Sequence, residues 1–213
     1  MRKRMQPFFI TRHLQEHSSL YIFHTVLFIM GVIFGAIVVN SLSVSQKDDL
    51  FYFLSEFFLQ MENGEVISAK EVFFHTLSYN SKFIGLMWVF GISMIGLPLI
   101  FVMLFLKGMV IGFTVGFLVQ QMSWHGFFLS FVSVLPQNLV TIPVYIAVAV
   151  VAVNFSFTMI RKLFVKSVFQ PFAPMLVRYC MFFGGAIVCL VVAAFVEGYV
   201  TPYLMKGVLK FLG

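Results

Sequence analysis

Apolar runs long enough to cross a bilayer alternate along this chain with short polar segments, and the first run sets the pattern. Residues 20–40 are almost continuously apolar; about 21 residues at ~1.5 Å each make a helix of about 31 Å, which matches the hydrocarbon core. Residues 83–106 form a second run, with Pro98 inside it as a kink. Residues 108–135 form a third, interrupted by Gln120-Gln121-Met122-Ser123-Trp124-His125-Gly126. That interruption leaves either one span with an ordered hairpin or two half-helices, and the run counts as one crossing. Residues 138–158, bent at Pro143, and residues 179–199 complete about five spans. The pattern predicts an all-α fold, a polytopic transmembrane helical bundle occupying residues 20–213 behind a basic cytoplasmic segment, residues 1–19. The tail, residues 201–213, is too short to cross and is expected in the interface.

One segment breaks the alternation. Within the outer loop, residues 41–82, Leu50, Phe53, Leu54, Phe57, Phe58 and Met61 recur at the spacing of a single helical face, with Lys47, Asp48, Asp49, Glu56 and Glu62 on the remaining surface. This amphipathic helix is expected either to lie on the outer leaflet and bundle, or to dock an extracytoplasmic partner. Glycines supply a second stripe. Gly31 and Gly35 in the first span, and Gly108, Gly112 and Gly116 at the start of the third, have the small-xxx-small spacing that lets helix backbones approach closely. Such faces serve internal packing, or a partner helix or second copy in a homo-oligomer.

Composition and charge then orient the set. The chain is 61% hydrophobic and 10% charged, which excludes a soluble globular domain. With the N-terminus inside, Arg2, Lys3, Arg4, Arg12, Lys107, Arg161, Lys162, Lys166 and Arg178 collect on the cytoplasmic side against Glu16 alone. The outer side holds Lys47, Lys70, Lys82, Lys206 and Lys210 against seven acidic residues. That asymmetry predicts N-in and C-out. Tyr21 and Tyr179 then fall at inner ends, and Trp88, Trp124, Tyr199 and Tyr203 toward outer ones, as interfacial aromatics should. The pI near 9.4 reflects basic residues facing anionic lipid, so no nucleic-acid partner is implied. The basic start before a run too long for a signal peptide's core reads as an uncleaved anchor.

Candidate chemistry is sparse. His13-Leu14-Gln15-Glu16-His17 has the H-x-x-E-H spacing of inverted zinc peptidases, but a zinc site still needs a third protein ligand, and His24 on the same face lies about a turn inside the bilayer. Cys180 and Cys189 lie about 13.5 Å apart along one helix, too far to bond, and read as small core residues. No catalytic residue, metal or cofactor is assigned. Charges inside the spans are limited to Lys107 and Glu197 near the ends and His24 one turn in. Ion-coupled transport is thereby disfavoured, and the polar residues left at depth, among them Gln137, Asn138 and Thr141, are expected to hydrogen-bond across helices.

The stretch Leu135-Pro136-Gln137-Asn138-Leu139-Val140-Thr141-Ile142-Pro143 resembles the Leu-Pro-His-Gly-x-x-Glu-x-Pro motif of the stage II sporulation protein M family. Lys107-Gly108-Met109-Val110-Ile111-Gly112 resembles its Asn-Gly-x-x-x-Gly, and Gly31 and Gly35 match a small-residue pair in its first span. The sequence departs from that pattern where Gln137, Asn138 and Thr141 replace His, Gly and Glu, and where Lys107 replaces Asn. The resemblance implies a non-enzymatic membrane scaffold in the mother cell. Such a scaffold recruits stage II sporulation proteins D and P, both peptidoglycan hydrolases, for septal thinning and engulfment. A permease or channel subunit working with a cytoplasmic ATPase is the alternative.

Overall fold

The computed structural model describes residues 18–62, 68–93, 96–164 and 172–212, without the side chains of residues 57, 58, 60–62, 163, 164, 172, 206 and 208–212. The described chain is helical apart from short turns. α1 (Ser18–Val38) ends in a 3-10 turn, Val39–Ser41, and is followed by α2 (Val44–Glu62) and α3 (Ala69–Ile92). Gly96–Phe164 is helical except at Ser123, where φ is 50° and ψ is −125°. We divide it there into α4 (residues 96–122) and α5 (residues 124–164). α6 (Phe172–Phe195) passes through a π-turn, Val196–Val200, into α7 (Thr201–Leu212).

Three stretches are long and apolar enough to cross a membrane: Ser18–Ser41, Gly96–Lys162 and Ala173–Met205. The second would extend about 100 Å as a straight helix. It doubles back instead. Lys107 and Tyr145 would lie about 57 Å apart on a straight helix, yet the Lys107 ammonium is 5.0 Å from the Tyr145 ring centroid. Gly126 seals the reversal, because a Cβ there would overlap the carbonyl of Leu118 on the opposite arm. The polar break at 120–126 is therefore a full turn between two antiparallel helices.

The inter-helix contacts fix the directions of the other elements. Gly31 meets the backbone of Phe105, Gly35 that of Met109, Gly108 that of Phe28 and Gly112 that of Val32, while Gly116 sits on Ala36. Equal steps on both helices mean that α1 and α4 run parallel. α3 and α5 also run parallel, since the bonds Tyr145 to Asn80 and Ser156 to Gly91 each span 65 residues. α6 runs against α3: Tyr179 bonds Trp88 near the start of α6, and Gly198 packs on Ala69 and Phe73 beyond its end.

The core lies among α3, α4, α5 and α6, with Ile84, Met87, Ile100, Leu104, Tyr145, Ala149, Val153 and Leu190 fully buried. A smaller cluster at the tip of the α4–α5 hairpin joins Leu118 and Leu129 to Met205 of α7, with Leu54 of α2 packed against it. The tail is thus seated on the bundle through Met205 while Tyr203 remains exposed.

Several boundaries differ from those read in the sequence. The run 83–106 is divided between α3 and α4 at Ser93–Gly96, a turn that hydropathy misses because its flanks are apolar. Gly96 is required there, since a Cβ would overlap Phe90, and Pro98 sits in the first helical turn, where its missing N–H costs nothing. No boundary falls at 136–138; α5 continues through Pro136 and Pro143. Trp88 lies beside Tyr179, 5.8 Å between ring centroids, and not at the opposite end of the bundle. Cys180 and Cys189 are exposed on α6, not buried in the core. The motif at 13–17 and the basic residues before it lie outside the described residues.

A candidate functional site in the middle of the bundle

Thr76, Asn80, Ile84, Met87 and Gly91 form the buried stripe of α3, so one helical face that is apolar below turns polar above. Asn80 is 1% exposed and accepts a hydrogen bond from the Tyr145 hydroxyl of α5. Buried amide and phenol groups satisfy each other here, which removes the penalty that either would carry alone.

Lys107 of α4 enters the same region. Its ammonium lies 4.9 Å from the centroid of Tyr79, 5.0 Å from that of Tyr145 and 5.6 Å from that of Phe83. Three ring faces turned on one cation are an electrostatic substitute for water. The depth of this site follows from α1, whose central residue is Phe28 and whose Phe28 carbonyl abuts Gly108. Lys107 is therefore near the midplane of a helix long enough to span, and not at a cytoplasmic end as its charge suggests.

Glu197 completes the centre from the π-turn after α6. π-turns rotate a residue out of helical register and recur at functional positions. Thr76 of α3 and the Lys107 ammonium of α4 are the polar neighbours of its carboxyl group. Its Oε2 is buried without a hydrogen-bond partner. The arrangement brings an ammonium and a carboxyl group together among buried side chains of α3, α4 and α5.

His24 is a separate buried polar residue on α1. Nδ1 is 2.7 Å from the Leu20 carbonyl, Nε2 has no partner, and Phe101 of α4 packs against the ring at 5.5 Å.

The residues singled out by sequence fall in three places. Gly31, Gly35, Gly108, Gly112 and Gly116 face one another across α1 and α4, so these stripes pack within the chain. A groove of about 470 Å³ runs beside them, lined by Val32, Ala36, Gly112, Gly116 and Gln120, and Gln120 donates to Asn40 at 3.2 Å. On α2, Leu50 is half-buried and Leu54 packs on the hairpin cluster, whereas Phe53 is 68% exposed. The side chains of Phe57, Phe58 and Met61 lie outside the described residues.

Pro136, Gln137, Asn138, Thr141 and Pro143 are all within α5. The Asn138 amide donates to the Val134 carbonyl at 2.7 Å and the Thr141 hydroxyl to the Gln137 carbonyl at 2.8 Å. These polar groups are satisfied along their own helix, not across helices as expected, because each carbonyl one turn back is the nearest acceptor. Thr141 is nonetheless fully buried one turn before Tyr145, and so adjoins the Lys107 centre.

Sequence reasoning missed Asn80, Tyr145, Thr76 and the depth of Lys107. The available signal was the spacing of Thr76 and Asn80, which continues the stripe of Ile84 and Met87.

A family model described as stage II sporulation protein M matches residues 24–202. No curated protein and no solved structure matches the chain.

Proposed function

The chain belongs to the stage II sporulation protein M family, a family of sporulation membrane proteins, and on that premise we propose that it is a non-enzymatic scaffold in the mother-cell membrane. In this reading α1, α3, α4, α5 and α6 cross the membrane, with the N-terminus inside and α2, the hairpin tip and α7 outside. The scaffold recruits the hydrolases known as stage II sporulation proteins D and P and holds them at the septal wall during thinning and engulfment.

The observation that carries this reading is the platform at the hairpin end. α2 is anchored there through Leu54, yet leaves Tyr52 and Phe53 65% and 68% exposed; Trp124 and Tyr203 beside the tip are 76% and 78% exposed. Exposed aromatics supply contact area at low conformational cost, which suits lipid headgroups and protein partners alike. The glycine faces do not serve this purpose, since they are used within the chain.

A second reading, a permease or channel subunit with a cytoplasmic ATPase, gains support from Lys107, because charges at membrane depth often mark ion paths. Co-purification separates the two. A tagged copy solubilised in mild detergent from sporulating cells should bring down two extracytoplasmic cell-wall hydrolases in comparable amounts. Recovery of an ATPase without hydrolases would overturn the scaffold.

A further inference from the structure

Glu71, His75, Ser78 and Lys82 recur along α3 at intervals of four, three and four residues, on one helical face, and all four are exposed. The same face continues apolar through Leu86 and Val89, 48% and 53% exposed. Polar residues near the outer end of a crossing are ordinary. Lys82 is not near that end. Tyr79 and Phe83, which bracket it, both hold their rings against Lys107, whose backbone neighbour Gly108 lies against the central residue of α1. Lys82 is thus within about one turn of the midplane, pointing away from the bundle, with no hydrogen-bond or ion-pair partner among the described residues.

A lysine facing hydrocarbon at that depth is costly, and such residues are almost always turned toward protein or water. Two features say what covers this one. A second copy, related by an axis along the membrane normal, would set Lys82 against Lys82 and Glu71 against Glu71 at equal depths, so like charges disfavour self-pairing. The complement of Lys82 and Ser78 is a hydrogen-bond acceptor, best a carboxyl group, carried at mid-depth by a different helix. We propose that the exposed polar face of α3 is a docking seam for a partner's single transmembrane helix bearing an acidic residue near its centre.

The seam deepens the scaffold reading by naming the face a partner would use, and its test is separable from that reading. The full chain, with Cys180→Ala and Cys189→Ala and a donor fluorophore at Tyr203→Cys, is placed in lipid vesicles with acceptor-labelled polyleucine transmembrane peptides. One peptide carries a central glutamate and another a central glutamine. Energy transfer should report roughly 3- to 20-fold tighter association of the glutamate peptide, the range expected for interhelical polar contacts. Lys82→Met, a change at an exposed position, should erase the preference without lowering the unfolding midpoint. Equal association of the two peptides, or a preference that survives Lys82→Met, would overturn the seam. So would rapid labelling of Lys82→Cys by a membrane-impermeant thiol reagent, which assigns the face to an aqueous path. Efficient disulfide dimers of Ser78→Cys would reassign it to a second copy. Co-purification of hydrolases reads a partner's identity independently, so either result can fail without the other.

Discussion

The ammonium of Lys107 lies 5.0 Å over the ring of Tyr145, a residue on the antiparallel arm of the same hairpin whose hydroxyl is bound to Asn80 of α3. One phenol therefore ties three helices together, through its face to α4 and through its oxygen to α3. The two functions of Tyr145 can be separated.

Tyr145→Phe keeps the ring beneath Lys107 and removes the hydroxyl, leaving the Asn80 carbonyl unpaired in a fully buried position. The expected loss is about 1 kcal/mol, within the range for interhelical hydrogen bonds in membranes. Asn80→Leu in the Tyr145→Phe background should recover part of it, because no polar group is then stranded. Unfolding in a denaturing-detergent titration measures both; equal stability of Tyr145→Phe and the parent would mean that the bond is replaced locally.

Lys107→Met makes the opposite point about stability. The ring faces return about 0.5–2 kcal/mol to the ammonium, but removing the charge from hydrocarbon also removes a desolvation cost of several kcal/mol. Lys107→Met alone would leave the Glu197 carboxyl group buried without its cation, so the change is made in a Glu197→Gln background, where the protein should unfold at the same temperature or higher, the behaviour of a residue kept for function. A drop exceeding about 2 kcal/mol would instead identify Lys107 as a structural lock.

Glycines of identical type divide sharply. A Cβ at Gly112 would overlap the Val32 backbone, whereas one at Gly184 meets nothing within 4 Å. Gly112→Leu should separate α1 from α4 at a cost of at least about 1–3 kcal/mol, while Gly184→Leu should leave the thermal midpoint unchanged. Similar midpoints for the two variants in one detergent would contradict the α1–α4 packing.

What the sequence made legible followed from bulk hydropathy and spacing. The long apolar runs, the polar break at 120–126 and the glycine stripes all correspond to features of the fold. The turn between α3 and α4 was hidden because Gly91-Ile92-Ser93 and Gly96-Leu97-Pro98 are as apolar as the helices around them. With that turn misplaced, the second run began at 83, and Asn80 and Lys82 were assigned to an outer loop when both belong to the middle of α3. Lys107 was moved to a helix end by the same error. The glycine stripes were visible, but which helices they joined was not, since spacing on one helix carries no information about its neighbour.

Ser123 is the single described non-glycine residue with positive φ. At φ 50° and ψ −125° the backbone occupies a region that side chains resist, at a cost of about 1–3 kcal/mol. Ser123→Gly removes the clash while loosening the unfolded chain, so a net gain of about 1 kcal/mol is expected. A rise in the thermal midpoint would show that the hairpin stores this strain; a fall would show that the hydroxyl is needed at the turn.

α3 provides the sharpest check on the five-crossing arrangement. Its 24 residues extend about 36 Å, enough to span, although Lys70, Glu71 and Lys82 keep it from registering as a hydrophobic run. The helix is carried instead by contacts along its whole length, Phe73 to Gly198 and Asn80 to Tyr145 above, Trp88 to Tyr179 and Gly91 to Ser156 below. In the proposed five-crossing arrangement such a helix crosses with its neighbours even though its own hydropathy is modest. In a Cys180→Ala, Cys189→Ala background, Ser68→Cys should react with an impermeant thiol reagent applied to the outside of intact cells, and Ser93→Cys should react only after the membrane is opened. If both positions react from the same side, α3 does not cross, and the parallel pairing of α3 with α5 would have to be redrawn.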